Sequence, residues 1–208
     1  MTNKEFKEKF NRDNLLKTGM DIDIVVDVQK DFVDGALANA EAAKRVKKIA
    51  SVIEEHCNHA GLLFLTMDTH YQNYLDTLEG QNLPVEHCIK YSHGWNIASE
   101  VNDVLCIVNS NQFEVIKKST FGSTTLASTI VNKLESFGLQ GQEIKNSINK
   151  IRVYGFCTDI CVISNAMILR AEFPNVEIEV LSDCCAGTSK ESHDIALAAM
   201  KQCMIEIM

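Results

Sequence analysis

The chain has 208 residues, of which 46% are hydrophobic and 23% are charged, an ordinary composition for a soluble globular protein. Its net charge of −8 argues against nonspecific binding to nucleic acid or to an anionic membrane. No apolar run reaches the ~20 residues that span a bilayer, and the first residues lack the apolar segment of a signal peptide. We therefore expect a single domain over residues 1–208 that resides in the cytoplasm with reduced cysteines.

Strands and helices alternate along most of the chain, after an N-terminal extension (residues 1–20) whose apolar residues predict a docked helix. The predicted elements, in chain order, are a strand at 22–28, a helix at 39–59, strands at 61–66 and 113–117, a helix at 123–137, a strand at 151–155, a helix at 158–172, a strand at 176–182, a helix at 190–202 and an edge strand within 203–208. This alternation indicates a three-layer α/β/α fold with a mostly parallel, doubly wound sheet of about six strands.

Polar side chains follow most of the predicted strands. In open α/β sheets, functional sites form outside the carboxyl ends of the strands, so these side chains should meet at one edge. The long irregular segment 71–95 also belongs to this edge, and long loops in compact domains are usually functional. The side chains that we place there are Asp27, Asp68, His70, Lys117, Lys118, Cys157, Cys161 and Asp183.

Cys161 has the surroundings of a nucleophile. If Thr158 or Asp159 caps the helix that follows, Cys161 lies in its first turn, where unpaired N–H groups and the helix dipole favour a thiolate. The same N–H groups could hold an oxyanion. Asp27 is then the candidate base, and Lys118 the cation that stabilises the resulting charge.

Cys157 is expected to act only through its main chain. It precedes the helix, so its N–H could point toward the same oxyanion as that of Cys161. The spacing of the two cysteines is not the Cys-x-x-Cys of common redox motifs, although a redox pair remains an alternative. The adjacent Cys184 and Cys185 are assigned to packing.

A second group of residues suggests a metal site. Asp68 and His70 lie two residues apart on one side of an extended segment, and His87 follows later in the chain. One carboxylate and two imidazoles suit zinc, iron or manganese, and Glu79 could add a fourth ligand. The remaining histidines are assigned to the surface or to helix capping, namely His56, His59, His93 and His193.

Four segments, in order, resemble those of the isochorismatase-like cysteine hydrolases. They are "VVDVQKDF", "KSTFGS", "GFCTDICV" and, for the nicotinamidase branch, "TMDTHYQNY…EGQNLPVEHC". The resemblance implies a catalytic triad of Asp27, Lys118 and Cys161. It favours Lys118 over Lys117, because Lys118 stands three residues before Phe121 as in the family pattern. Only one of two neighbouring strand residues can face the site.

The resemblance has further implications for the site. It implies a metal bound by Asp68, His70 and His87, with Glu79 as a ligand in some members. It also implies a cis peptide before Cys157 and a place for Phe32 in the substrate pocket. The chain departs from the family pattern at Leu83, where many nicotinamidases have an aromatic residue before the proline.

The resemblance implies a hydrolase that cleaves a small amide, in the first place nicotinamide, through a cysteine thioester. The nearest alternative is another amidase of the superfamily, acting on a ureido acid, maleamate or an N-carbamoyl compound. The sequence is also compatible with a vinyl-ether hydrolase, which needs no nucleophilic cysteine, and with a non-catalytic or redox-sensing binding protein. We expect a homo-oligomer that binds a small-molecule amide, with no nucleic-acid or membrane partner.

Overall fold

The structure is a computed structural model that describes residues 1–59 and 61–208. Its strands, in chain order, are β1 (Met20–Val26), β2 (Leu62–Asp68), β3 (Phe113–Lys118), β4 (Ile148–Phe156), β5 (Glu177–Ala186) and β6 (Glu206–Ile207). They form one sheet in the order β3-β2-β1-β4-β5-β6, and every neighbouring pair is parallel. The predicted α/β fold with a six-stranded sheet is thus confirmed.

Helices connect the strands, as the predicted alternation requires. They are α1 (Asn3–Lys9), α2 (Arg12–Thr18), α3 (Lys30–Val33), α4 (Ala40–Asn58), α5 (Leu78–Asn82), α6 (Ser99–Ile107), α7 (Leu126–Glu135), α8 (Gln142–Asn146), α9 (Ile163–Glu172) and α10 (Lys190–Gln202). A 3₁₀ turn at Tyr74–Asp76 and a wide turn at Thr158–Val162 complete the set. No helix among these described residues is long and apolar enough to cross a membrane.

The strand order reverses direction between β1 and β4. The chain builds β1, β2 and β3 outward on one side and then returns to add β4, β5 and β6 on the other. Helix α4 packs against α6, and α9 packs against both α7 and α10. Connections that run in opposite directions along the sheet are expected to cover its opposite faces. The carboxyl ends of β1 and β4 therefore border the crevice where such sheets bind ligands.

The inner strands are covered on both faces. All seven residues of β2 and nearly all of β1 are buried, as expected for central strands of a parallel sheet. The edge strand β3 alternates in exposure over its last residues, with Ile116 and Lys118 buried and Lys117 exposed. This alternation decides which of the two adjacent lysines reaches the interior.

The N-terminal extension differs from the single helix that the sequence predicts. It forms two helices: the first ends at Lys9 with Phe10 as its C-cap, and Asn11 caps the second by accepting a hydrogen bond from the N–H of Asn14. Phe6 and Phe10 are buried, with ring centroids 4.4 Å apart, and Phe10 lies 5.4 Å from the ring of Phe137. The extension thus packs on the domain through these rings, as two helices rather than one.

Asp183 does not belong to the functional edge, contrary to the prediction. Strand β5 continues to Ala186, four residues beyond the predicted end, so Asp183 lies within it rather than after it. Its carboxylate is exposed and pairs with Lys48 on α4 at 2.8 Å.

The prediction that His56 lies at the surface or in a cap is wrong. His56 is buried, and its Nε2 lies 2.9 Å from the carbonyl oxygen of Leu62. Its Nδ1 lies 2.9 Å from Arg152, which also binds both carboxylate oxygens of the buried Asp23. This network sits away from the carboxyl ends of the strands, so it stabilises the fold rather than the site.

Candidate active site

Three predicted residues from distant parts of the chain meet at the crevice between β1 and β4. Asp27 directly follows β1 and is fully buried. The Nζ of Lys118, the last residue of β3, lies 2.6 Å from Asp27 Oδ2 and 3.5 Å from Cys161 Sγ. Lys117 points elsewhere, with its ammonium 5.2 Å from the ring centroid of Trp95. The structure thus brings a carboxylate, a cation and a thiol together.

The environment of Asp27 suits a proton acceptor. Burial raises the pKa of Asp27 above its usual value, and the charge of Asp68 adds to this, while Lys118 opposes it. The hydroxyl of Thr66 donates a hydrogen bond of 2.7 Å to Asp27 Oδ1 and fixes its orientation. A carboxylate with a raised pKa binds a proton more readily than an exposed one.

Cys161 rests as a protonated thiol, unlike the thiolate that its place in a helical turn suggests. Burial, followed by the negative charge of Asp27, raises the pKa of Cys161 well above its usual value. The charge of Lys118 lowers that pKa but does not outweigh the other two effects. The thiol therefore needs a base at the moment of reaction, and Asp27 is the carboxylate placed beside it.

The turn that carries Cys161 has an unusual backbone. The peptide between Phe156 and Cys157 is cis, as the resemblance implies. The N–H groups of Ile160 and Val162 both donate to the carbonyl oxygen of Cys157, at 3.1 and 3.0 Å. The second of these bonds spans five residues, so the turn is wider than in an α-helix, a geometry frequent at functional sites.

The predicted capping of this turn is wrong. Cys157 occupies the position before the turn, and no side chain caps it by a hydrogen bond. Thr158 instead contacts His193, and Asp159 accepts hydrogen bonds from Thr188. Both side chains thus point away from the first N–H groups of the turn.

The four predicted metal ligands converge in the same crevice. Asp68 Oδ2 lies 2.9 Å from His70 Nε2 and 3.4 Å from His87 Nε2, and Glu79 Oε1 lies 3.6 Å from both nitrogens. Two imidazole nitrogens and two carboxylate oxygens, all within 4.8 Å of one another, match a divalent metal. Around a tetrahedral zinc, donors at about 2.0–2.1 Å stand roughly 3.3 Å apart, close to these spacings.

Hydrogen bonds to neighbouring groups orient this donor set. His87 Nδ1 lies 2.8 Å from the carbonyl oxygen of Val85, which leaves Nε2 facing the other donors. Burial alone raises the pKa of Asp68, but hydrogen bonds from His70 and His87 and the charge of Lys118 hold it well below its usual value. Asp68 therefore stays ionised, as a ligand must.

Asp68 also links the metal donors to the catalytic triad. Its Oδ1 lies 3.5 Å from Lys118 Nζ, while its Oδ2 faces the histidines. The side chain of Gln29 holds its backbone on both sides, accepting from Asp68 N–H at 2.7 Å and donating to Asp68 O at 2.9 Å. Gln29 is fully buried and also donates to the carbonyl oxygen of Trp95 at 2.8 Å.

A cavity of about 1200 Å³ joins the two groups of residues. Cys157 and Cys161 lie on its wall together with the four metal donors, and Phe32 lines it as the resemblance implies. The ring of Phe32 is buried, with its centroid 5.8 Å from that of His87. The remaining walls are largely apolar, which suits a small organic ligand.

The sequence did not reveal several residues that hold the site together. Thr66 is one, although a threonine at the end of an otherwise apolar strand is a weak signal for it. Asn165 is another, because its buried amide donates to Cys161 O at 2.8 Å and accepts from Ser123 N–H at 2.9 Å. Gln29 belongs to the segment "VVDVQKDF", but the sequence alone gave it no role. Only the three-dimensional contacts show what these amides bind.

The adjacent Cys184 and Cys185 lie in the core rather than on the cavity wall. All eight cysteines of the chain are free thiols. Cys184 and Cys185 are buried in the core, so the assignment of this pair to packing is confirmed. Burial raises the pKa of Cys185 to about 12, which makes it an unreactive thiol.

Sequence comparison places most of the chain in a known group of proteins. A family model described as an isochorismatase domain matches residues 22–208. The nicotinamidase of Schizosaccharomyces pombe is 26% identical over 206 residues, which covers 89% of this chain and 91% of that protein.

Solved structures with the same fold include several amidases. A pyrazinamidase of Pyrococcus horikoshii, solved in complex with zinc, has a TM-score of 0.70 at 24% identity and covers 90% of this chain and 98% of its own. A nicotinamidase/pyrazinamidase from Bacillus subtilis has a TM-score of 0.74 at 18% identity, with coverages of 90% and 98%. An N-carbamoylsarcosine amidase from Thermoplasma acidophilum reaches 0.68 at 22% identity, with coverages of 90% and 95%.

Proposed function

Because the chain belongs to the isochorismatase family, we propose that it is a cysteine amidohydrolase that converts nicotinamide to nicotinate and ammonia. Asp27 and Lys118 meet beside Cys161, which lines a cavity together with the four metal donors, and this arrangement carries the proposal. The nicotinamidase of S. pombe, similar over most of both chains, supports the choice of substrate.

In the first half of the reaction, Asp27 takes the proton of the Cys161 thiol while Sγ attacks the amide carbon. The carbonyl oxygen becomes an oxyanion, which the N–H groups of Cys157 and Cys161 stabilise. The C–N bond then breaks, and Asp27 returns its proton to the leaving nitrogen, which departs as ammonia. An acyl group remains on Cys161 as a thioester.

In the second half, a water molecule loses a proton to Asp27 and attacks the thioester carbon. The C–S bond breaks, Asp27 returns the proton to the sulfur of Cys161, and the nicotinic acid formed loses its own proton to solvent and leaves as nicotinate. Throughout, Lys118 keeps a positive charge between the carboxylate and the sulfur, because Asp27, Cys161 and Asp68 together raise its pKa despite burial. It therefore stabilises whichever of the two groups is negative.

We propose that Asp68, His70, His87 and Glu79 hold a divalent metal, with zinc as the first choice. The spacing of their donor atoms supports this, as does the zinc complex of the pyrazinamidase from P. horikoshii. When bound, the metal supplies a Lewis acid that can accept the ring nitrogen of a pyridine and so orient the substrate.

Another amidase reaction on the same machinery is the second candidate. The similarity to an N-carbamoylsarcosine amidase extends over 90% of the chain, and the triad suits any small amide. A vinyl-ether hydrolase needs no nucleophilic cysteine, so that function would not explain why a base and a cation lie beside Cys161. A binding or redox-sensing protein would likewise not need Asp27 and Lys118 buried beside the thiol.

An ammonia-release screen over nicotinamide, pyrazinamide, ureido acids and maleamate tests the proposal, with bound metal quantified on the same sample. We expect nicotinamide and pyrazinamide to be hydrolysed by protein that carries about one divalent ion per chain. Turnover of only a ureido or N-carbamoyl compound would contradict the nicotinamidase proposal and favour the second candidate. The absence of all turnover would favour a binding protein.

A further inference from the structure

Two adjacent residues of the Cys161 turn are tied to the beginning of α10. The hydroxyl of Thr158 lies 2.8 Å from His193 Nδ1. The carboxylate of Asp159 accepts hydrogen bonds from the N–H of Thr188, at 2.9 Å, and from its hydroxyl. Thr158 and Asp159 lie between the two residues whose amides we assign to the oxyanion. We call this pair of links the turn latch.

Burial makes the Thr158 link the stronger constraint. Thr158 is fully buried, and His193 is the only hydrogen-bond partner of its hydroxyl within residues 1–59 and 61–208. A buried hydroxyl that loses its partner is left unsatisfied at a cost in free energy, so the side chain is held in one orientation. The backbone that follows Cys157 is therefore fixed from outside the cavity.

The latch requires an unusually close approach of the loop after β5. A Cβ on Gly187 would lie 2.8 Å from His193 Cβ and 2.9 Å from Asp159 Oδ1, so a larger residue does not fit. The carbonyl oxygen of Gly187 accepts a hydrogen bond of 2.7 Å from Asn39, the N-cap of α4. The loop that carries the latch is thus held at the start of α4.

The electrostatic surroundings keep the His193 ring neutral. Burial lowers the pKa of His193, and Arg45 on α4 and Lys190 on α10 lower it further. Asp194 on α10 and Asp159 in the turn oppose this shift but do not cancel it. A neutral ring can accept the hydroxyl proton of Thr158 at Nδ1.

We propose that Thr158 and His193 are positioning residues that aim the amides of Cys157 and Cys161 at the oxyanion. The proposal rests on the function proposed above, because it assumes that these amides stabilise a tetrahedral oxygen. Neither side chain is assigned a contact with substrate, and their effect passes through the backbone of the turn. Small misplacements of such donors cost rate, because stabilisation depends on their geometry.

Two reagents that react with the Cys161 thiol distinguish this positioning role from a general effect on the stability of the fold. Iodoacetamide alkylates Cys161 by displacement of iodide and forms no oxyanion. Pyridine-3-carbaldehyde reacts by addition: the S–C bond forms as the C=O π bond opens to an alkoxide, and Asp27 takes the thiol proton, so that the adduct carries an oxyanion. The second adduct therefore needs the oxyanion amides, and the first does not.

The variants are chosen in matched pairs. Thr158→Val removes the hydroxyl at nearly constant shape, and Thr158→Ser retains it. His193→Asn keeps a polar atom near the position of Nδ1, whereas His193→Gln moves it to the position of Nε2. Because His193 is only partly buried, its variants should fold even if Thr158→Val does not.

We expect Thr158→Val and His193→Gln to weaken the aldehyde adduct about tenfold or more, while alkylation rates stay within about twofold of the unmodified protein. The Ser and Asn variants should bind the aldehyde nearly as well as the unmodified protein. The double variant Thr158→Val/His193→Gln should be no worse than either single one, because both break the same link.

Three results would overturn the latch. One is unchanged aldehyde affinity in His193→Gln, and another is an equal loss of alkylation rate. The third is an unmodified protein that forms no aldehyde adduct on Cys161 at all. Nicotinamide turnover is measured separately. If the unmodified protein formed the aldehyde adduct normally but did not hydrolyse nicotinamide, the proposed substrate would be wrong, and the positioning role of the latch would stand.

Discussion

Asp27 and Lys118 are a buried ion pair whose position is explained by chemistry better than by stability. Both side chains are almost completely removed from water, with their charged atoms 2.6 Å apart. Desolvation of two charges can exceed their mutual attraction, so an apolar pair would stabilise the core at least as well. The pair lies beside the Cys161 thiol, where a base and a cation are needed.

The raised pKa of Asp27 predicts how the rate of the reaction falls at low pH. The base must be ionised to accept the thiol proton, so turnover falls as the pH drops through the pKa of Asp27. Because burial raises that pKa, the fall begins at a higher pH than for an exposed aspartate. A pH profile of kcat/KM measures this directly.

Asp27→Asn is the matching variant, since it keeps the shape and removes the base. Its turnover should drop by about 10²–10⁴-fold, the usual contribution of general acid–base catalysis. If Asp27→Asn kept near-normal turnover and the same fall of kcat/KM at low pH, a group other than Asp27 would be responsible for that fall.

Gln29 predicts an effect on metal affinity rather than on the chemical step. Its amide holds the backbone of Asp68 from both sides, and loss of such support typically costs about 10–100-fold in affinity. Gln29→Ala should weaken zinc binding by that factor in a chelator competition. The exposed Gln81→Ala is the control, and equal affinities of the two variants would refute the role of Gln29.

Elements with strong local patterns are predictable from the sequence, and those that depend on distant contacts are not. The β-branched run before Asp27 and the regular apolar spacing of α4 and α10 predict these elements closely. Helix α6 was not predicted, because it is short, has no side-chain cap and buries only Val101 and Leu105. The buried His56 on α4 could not be predicted, because its partner Arg152 comes from strand β4, nearly a hundred residues later in the chain.

The N-terminal helices are predicted to stabilise the domain on which they pack. Phe10 is 4% exposed and contacts the rings of Phe6 and Phe137. Phe10→Ala should lower the free energy of unfolding by about 3–5 kcal/mol, since it leaves a cavity in this cluster. Urea unfolding measures the change, with Leu16→Ala, at a residue 40% exposed, as the control. Similar losses in both variants would contradict the docking.

At the scale of the whole molecule, strand order explains how the site assembles. Asp27 and Cys161 are far apart in sequence, and they meet because β1 and β4 are neighbours at the point where the strand order reverses. The sequence predicted the edge at which these residues lie. It did not predict the support from Thr66, Gln29 and Asn165, because side-chain hydrogen bonds across elements leave no periodic pattern.

We also propose that the protein is a homo-oligomer. Apolar side chains at the cavity mouth remain exposed in the single chain, including Leu78 at 77% and Phe121 at 48%. Contact with a second copy would remove such a patch from water. Light scattering should give a mass of at least two chains, and Leu78→Glu should lower it. A monomeric unmodified protein would contradict the proposal.

The most direct test of the proposed mechanism compares two cysteine variants in one ammonia-release assay with nicotinamide. Cys161→Ala removes the nucleophile, and its turnover should fall by more than about a thousandfold. Cys157→Ala keeps the backbone amide to which we assign the oxyanion, so it should retain most of the activity. Robust turnover by Cys161→Ala, or equal losses in both variants, would contradict a mechanism with Cys161 as the sole nucleophile.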